Sequence, residues 1–201
     1  MAGILLQCVV VAVFAFGVCW GLPNQSRWAR TEALDSKGQV RLHWTPRITK
    51  GDIQFLFVAP STGWVGVGFS PNGGMIGADM VIGGIRNGSP YFRDCHSVGN
   101  TLPDVDIQQD YELVRAMENG THTWLHFSRK INTTDLLQDY QITNEAVDII
   151  WAYGERDPRI GEEPAYHALN RGERSLSILD AIVDVGQEEA SADPSKNGTE
   201  I

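Results

Sequence analysis

The residues able to do chemistry are sparse in this chain, and their spacing rules out more than it permits. Histidine comes first, because copper and zinc centres are built from clustered imidazoles. The five are His43, His96, His122, His126 and His167, with no two adjacent and no His-x-His pair. His122 and His126 stand four apart in a segment that alternates like a strand, which separates them by roughly 13 Å. One ion cannot bridge that gap, so no catalytic copper site is expected. Glu112, Glu118, Asp135 and Asp148 are scattered and form no paired-carboxylate signature. The glycine-rich stretch from Gly63 to Met75 lacks a Gly-Lys-Ser/Thr ending and leads into no helix, which excludes a phosphate-binding loop. Ser70-Pro71 and Ser175-Leu176-Ser177 have no nucleophile-elbow context.

Asparagine offers modification chemistry instead. Sequons for N-glycosylation occur at Asn24, Asn87, Asn119, Asn132 and Asn197. They agree with the start of the chain. Ile4 to Phe16 is apolar apart from Gln7, carries no charged side chain, and is followed by Cys19 and Gly21 near a cleavage point. That is the pattern of a removable signal peptide over residues 1–21, with Leu22 opening the mature chain. The run is short for a membrane anchor, which needs roughly 20 apolar residues, so no membrane span is expected after cleavage. A secreted protein or one of the secretory-pathway lumen follows. Cys8 and Cys19 would leave with the signal, and Cys95 alone would remain, expected as a buried free thiol. The net charge of −9 makes nucleic acid and anionic membrane surfaces poor partners.

The elements that must position these residues read as short strands. Apolar residues alternate in residues 40–44 and 52–59; further runs cover 64–69, 79–85, 90–94, 111–117, 121–130, 146–153 and 175–179. Asn87-Gly88 and Asn119-Gly120 lie between such runs, a hairpin signal that asks for positive φ at both central residues. One helical turn is expected at residues 134–137. Strands separated by turns, with no long helical period, predict an all-β antiparallel sandwich. The expected organisation is a signal peptide (1–21), a flexible lead-in (22–34), one domain (35–181) and a disordered acidic tail (182–201) rich in Glu, Ser, Asp and Asn.

An ordered set of motifs then carries a family resemblance. Gly63-Trp64-Val65-Gly66-Val67-Gly68-Phe69-Ser70-Pro71, Met75, Ala78-Asp79-Met80-Val81-Ile82-Gly83-Gly84, Pro90-Tyr91-Phe92-Arg93-Asp94 and Gln108-Gln109-Asp110-Tyr111 resemble the DOMON domain. So do Ala116-Met117-Glu118-Asn119, Ile150-Trp151-Ala152-Tyr153 and Tyr166-His167-Ala168-Leu169-Asn170-Arg171-Gly172. The match is to the N-terminal domain of the dopamine β-hydroxylase-like copper monooxygenases, over about residues 34–179. The resemblance implies an immunoglobulin-like β-sandwich. It implies hydroxylation with copper and ascorbate, the copper being held by domains outside this one, so the chain alone is expected to be inactive and to serve as a binding domain for a small ligand or protein partner. Some DOMON domains are haem b cytochromes, which makes Met75 and His167 candidate axial ligands. The hydroxylase domain implies a hard-cation site, here the Asp79 and Asp110 carboxylates with the main-chain carbonyls of Met80 and Cys95, suited to Ca²⁺. A cysteine that relatives have near Thr134, able to bridge to the rest of the chain, is absent here.

Overall fold

The computed structural model describes residues 28–181. The expected signal peptide, the sequons at Asn24 and Asn197, Cys8, Cys19 and the acidic tail lie outside the described residues. The described residues form eleven strands, most of them built on alternating apolar residues: β1 (Arg30–Ala33), β2 (Arg41–Arg47), β3 (Asp52–Ala59), β4 (Val65–Ser70), β5 (Asp79–Arg86), β6 (Ser89–His96), β7 (Asp104–Val105), β8 (Tyr111–Glu118), β9 (Thr123–Lys130), β10 (Ala146–Tyr153) and β11 (Arg171–Ser177). They form two antiparallel sheets, ordered β1-β2-β3-β9-β8 and β11-β10-β4-β5-β6-β7. No α-helix occurs among the described residues. This is the expected antiparallel sandwich.

The inward faces meet in one core. Phe55 stacks on Phe127 at 5.3 Å and meets Phe69 edge-on at 5.7 Å, with Trp44, Phe57, Val81, Leu125 and Ile149 around them. Trp44 donates from Nε1 to the Ile178 carbonyl at 2.8 Å, which fixes the polypeptide as it leaves β11. A smaller cluster lies on the outer face of the six-stranded sheet: Trp64, Ala78, Met80, Ile82, Cys95 and Ile150. Gly68 is required there, since a Cβ would sit 2.5 Å from the Asp79 carbonyl and 2.5 Å from the Met80 Cβ.

Several expectations change. The lead-in is not flexible to residue 34: Arg30–Ala33 forms β1, in register with Arg41 to Trp44 of β2. Trp28 packs edge-on against His126 at 5.3 Å, so the ordered domain begins before residue 35. The expected helical turn at 134–137 is an Asp-capped turn, in which Asp135 Oδ1 accepts from the Leu137 and Gln138 amides at 3.0 Å each. Asn87 and Gly88 have the positive φ values of 51° and 77° that a tight hairpin needs. Asn119-Gly120 does not; there Asn119 Oδ1 accepts from the Thr121 and His122 amides, both at 2.8 Å, and holds a wider turn. β7 and the first part of β11 had no sequence signal, because both are exposed edge strands without apolar alternation.

Candidate cation site at one end of the sandwich

Strand alternation carries polar groups into one end of the core. Asp79 opens β5 two residues before the core residue Val81 and therefore points inward with it. Asp94 lies opposite Val81 on β6. Arg129 and Tyr111 face each other on β9 and β8. Asp139 arrives from residues 131–145, which connect β9 to β10. All are buried.

Arg129 organises part of this group. Its Nη1 donates to Asp79 Oδ2 at 2.7 Å and to the Tyr111 hydroxyl at 2.9 Å, and its Nη2 donates to the Tyr140 carbonyl at 2.8 Å. The Tyr140 amide also donates to Asp79 Oδ2, at 2.9 Å. Asp94 Oδ2 accepts from the Asp110 amide at 2.8 Å. Gln109 locks the same strand, accepting from the Asp94 amide and donating to the Asp94 carbonyl, each at 3.0 Å.

The opposite oxygens are unsatisfied. Asp79 Oδ1, Asp94 Oδ1 and both Asp139 oxygens are buried without a partner at hydrogen-bonding geometry. Asp79, Asp94 and Asp139 each present an oxygen within 4.8 Å of the others. Two oxygens each about 2.4 Å from one Ca²⁺ can stand about 4.8 Å apart, so the spacing suits a single hard cation. Fully ionised, three carboxylates against one guanidinium leave a surplus of two negative charges in a desolvated place. Burial therefore pushes the carboxyls up: Asp94 to about 8, with its acidic neighbours adding to it; Asp139 to about 7, only partly offset by the Thr133 hydroxyl; and Asp79 to about 6, where Arg129 opposes the shift. At neutral pH Asp94 favours a proton, Asp139 is balanced between its two forms, and Asp79 is ionised against Arg129, so a cation would compete with protons chiefly at Asp94 and Asp139.

Of the three clustered carboxylates, the sequence reading named one. Asp79 is a member, and Met80 is paired directly with Cys95 across β5 and β6, so their main chains adjoin the cluster. Asp110 contributes its amide; its carboxylate is engaged by Gln108 Nε2 at 2.7 Å and is not among the gathered oxygens. Asp94 and Asp139 were missed. Asp94 carried a readable signal, an acid at the inward phase of the Pro90-to-Asp94 strand. Asp139 carried none, since only the fold brings residues 131–145 across the end of the core.

Met75 lies in the β4–β5 connection, half-buried. His167 lies in residues 154–170, its ring 6.5 Å from Trp64 just before β4 and its Nδ1 3.1 Å from the Ala168 carbonyl. The two therefore attach at opposite ends of β4. Cys95 is free and buried, its thiol pushed up to about 12 by burial. Asn87, Asn119 and Asn132 are exposed.

A family model for the DOMON domain matches residues 36–154. The chain is similar to DBH-like monooxygenase protein 1 of Mus musculus, 42% identical over 79% of this chain and 25% of that protein. The Homo sapiens protein of the same name is 44% identical over 73% of this chain and 23% of its own length. The chain thus spans about a quarter of the length of these relatives. Among solved structures, the cytochrome domain of Myriococcum thermophilum cellobiose dehydrogenase superposes with a TM-score of 0.57 at 16% identity, covering 75% of this chain and 83% of that one, which is a likeness of fold.

Proposed function

The chain belongs to the DOMON domain family, and from that premise we propose that it is a non-catalytic binding and interaction domain of the dopamine β-hydroxylase-like monooxygenase type. It works in the secretory lumen or outside the cell and holds a hard cation such as Ca²⁺. The observation that carries this reading is the set of buried, unsatisfied oxygens on Asp79, Asp94 and Asp139. The Asp110 amide, bonded to Asp94 Oδ2, holds one of these carboxylates in place. Oxygen donors select Ca²⁺ over copper, which prefers imidazole and sulfur. Among the described residues, the group of side chains able to hold a metal contains no histidine. On this reading, copper and ascorbate chemistry is assigned to other domains.

The test is thermal melting of the purified chain with Ca²⁺ and with chelator, alongside metal analysis. A higher melting temperature with Ca²⁺, absent in the Asp94→Asn/Asp139→Asn variant, supports the site; equal melting under both conditions removes it. A copper- and ascorbate-dependent hydroxylation assay on the chain should give background turnover only. Secretion is supported by the exposed Asn87, Asn119 and Asn132 sequons. A glycosidase mobility shift and a mature N-terminus at Leu22 are the expected results.

Haem b is the second reading, favoured by the cytochrome-like fold, with Met75 and His167 as its ligands. The outer face of β4 weighs against it. Trp64 packs within 3.7 Å of the Cβ position of Gly66, and Met80 covers Gly68. Residues 154–170 are tied across that sheet by Tyr91 to Asp157 at 2.6 Å and Arg93 to Glu163 at 3.0 Å. A Soret band with added haem that is lost in Met75→Ala and His167→Ala would establish this reading instead.

A further inference from the structure

The end of the sandwich that holds the carboxylates also exposes apolar side chains on four connections. Ile76 lies between β4 and β5, Val98 between β6 and β7, Ile107 between β7 and β8, and Leu136 and Leu137 between β9 and β10, with Val105 on the edge strand β7. Ile107 and Leu137 are each 96% exposed. These segments are held together. The Gly77 amide donates to the Ser97 carbonyl at 2.8 Å, joining the Ile76 and Val98 connections. Gln108 Nε2 donates to Thr134 Oγ1 at 3.1 Å, joining the Ile107 and Leu137 segments. Gln138 reaches His96 at 3.1 Å. Exposed apolar side chains on segments tied to one another in this way form the kind of surface that marks an interaction site.

Two further features say what covers it. The first is direction. Ser177, the last residue of β11, pairs with Ala146, the first of β10, so the polypeptide leaves the sandwich at this same end. Relatives that match this chain over about a quarter of their length have the other three-quarters to place. The second is charge. Residues 71–78, 97–110 and 131–145 contain no Lys or Arg, while Asp104 and Glu145 are exposed within them and Asp110 and Asp135 half-buried; Asp106 and Asp139 are buried, Asp106 against His96. The basic groups of this end, Arg47, Lys50 and Lys130, sit on the β2, β3 and β9 side, where Arg47 is paired with Asp52 at 2.6 Å. An acidic rim repels a second copy of itself. It also repels residues 182–201, which carry Asp184, Glu188, Glu189, Asp193 and Glu200 against Lys196 alone.

We propose that this end is a docking surface for the downstream part of a dopamine β-hydroxylase-like monooxygenase, engaged through an apolar face rimmed by Lys or Arg. The inference rests on the interaction-domain reading above and names its surface and partner. The apolar side chains supply the contact, and the acidic rim supplies orientation and association rate.

The experiment co-expresses the full chain in animal cells with Mus musculus DBH-like monooxygenase protein 1 from which the region matching this chain has been deleted. The expected result is a secreted complex that co-purifies and weakens as salt is raised. Ile107→Lys with Leu137→Lys should reduce co-purification about tenfold or more, the scale of losing central interface anchors. Both positions are fully exposed, so the melting temperature should stay unchanged. Val114→Lys, an exposed site on β8 away from these connections, should leave the complex intact. Failure to recover the truncated relative with the chain overturns the proposal. So does equal loss in the double variant and in Val114→Lys, or light scattering that shows the chain pairing with itself through Ile107 and Leu137. Ca²⁺ stabilisation is read separately, so a chain that binds Ca²⁺ without forming the complex fails this inference alone.

Discussion

At one end of the sandwich the chain reverses in hairpins that need no help from the rest of the fold. Asn87-Gly88 turns on positive φ, and Asn119 caps its own turn with its side chain. At the other end, residues 71–78, 97–110 and 131–145 are tied by Gln108, Gln109, Gln138 and Arg129 over three buried aspartates. The hairpin end bears the Asn87 and Asn119 sequons on turns satisfied by their own residues, and residues 154–170 are bonded across it, with Ser61 donating to the Gly154 carbonyl and Arg86 to the Pro158 carbonyl. The carboxylate end combines local turns, such as the one Asp135 caps, with long-range ties, and it gathers three aspartates with unpartnered oxygens inside. The gathered carboxylates are what set this end apart: buried acidic oxygens without partners call for a cation, which no group at the hairpin end does.

The difference can be broken most directly at Arg129. Arg129→Met strands the Asp79 carboxylate in the core, and the expected loss is about 3–5 kcal/mol in urea unfolding. Supplying the cation should act in the opposite direction. At a Ca²⁺ concentration a hundredfold above Kd, stability should rise by about 2.7 kcal/mol, and the Asp94→Asn/Asp139→Asn variant should show no such gain. Gly68→Ala pushes a methyl group into β5 between the two ends, and a cost of about 1–3 kcal/mol is expected from melting curves. At the hairpin end, Asn119→Ala removes a local cap and should cost about 1 kcal/mol, while abolishing one glycan.

A pH series separates these ends from the sheet faces. His43 is buried, and burial with the nearby Arg41 lowers it from 6.5 to about 4. The unfolded chain takes up this proton first as pH falls, so the stability due to a neutral His43 is complete above 6.5 and is lost as pH drops toward 4. His43→Gln should flatten that part of the profile. The carboxylates behave oppositely. Asp94 is raised from 3.8 to about 8, so without a cation its contribution is complete below 3.8 and fades as pH rises through 8. Bound Ca²⁺ should remove that alkaline loss.

Most of the strands were legible because the inward face of each shows as alternation, as in Ile53, Phe55 and Phe57 of β3. β1 and β7 were not, because a short edge strand is set by the neighbour it pairs with rather than by its own pattern. Of the candidate site, Asp79 was readable from its motif and Asp94 from its phase, while Asp139 and Arg129 depend on chain segments remote in sequence.

By itself the sequence determined the all-β class, the Asn87-Gly88 hairpin and the inward phase of each long strand, because these follow from backbone sterics and a two-residue period acting over a few residues. The tertiary structure decided which carboxylates share one desolvated space and which apolar side chains share one surface. Burial and proximity depend on how the two sheets close over each other, and no local spacing encodes the distance between β5, β6 and the residues that join β9 to β10.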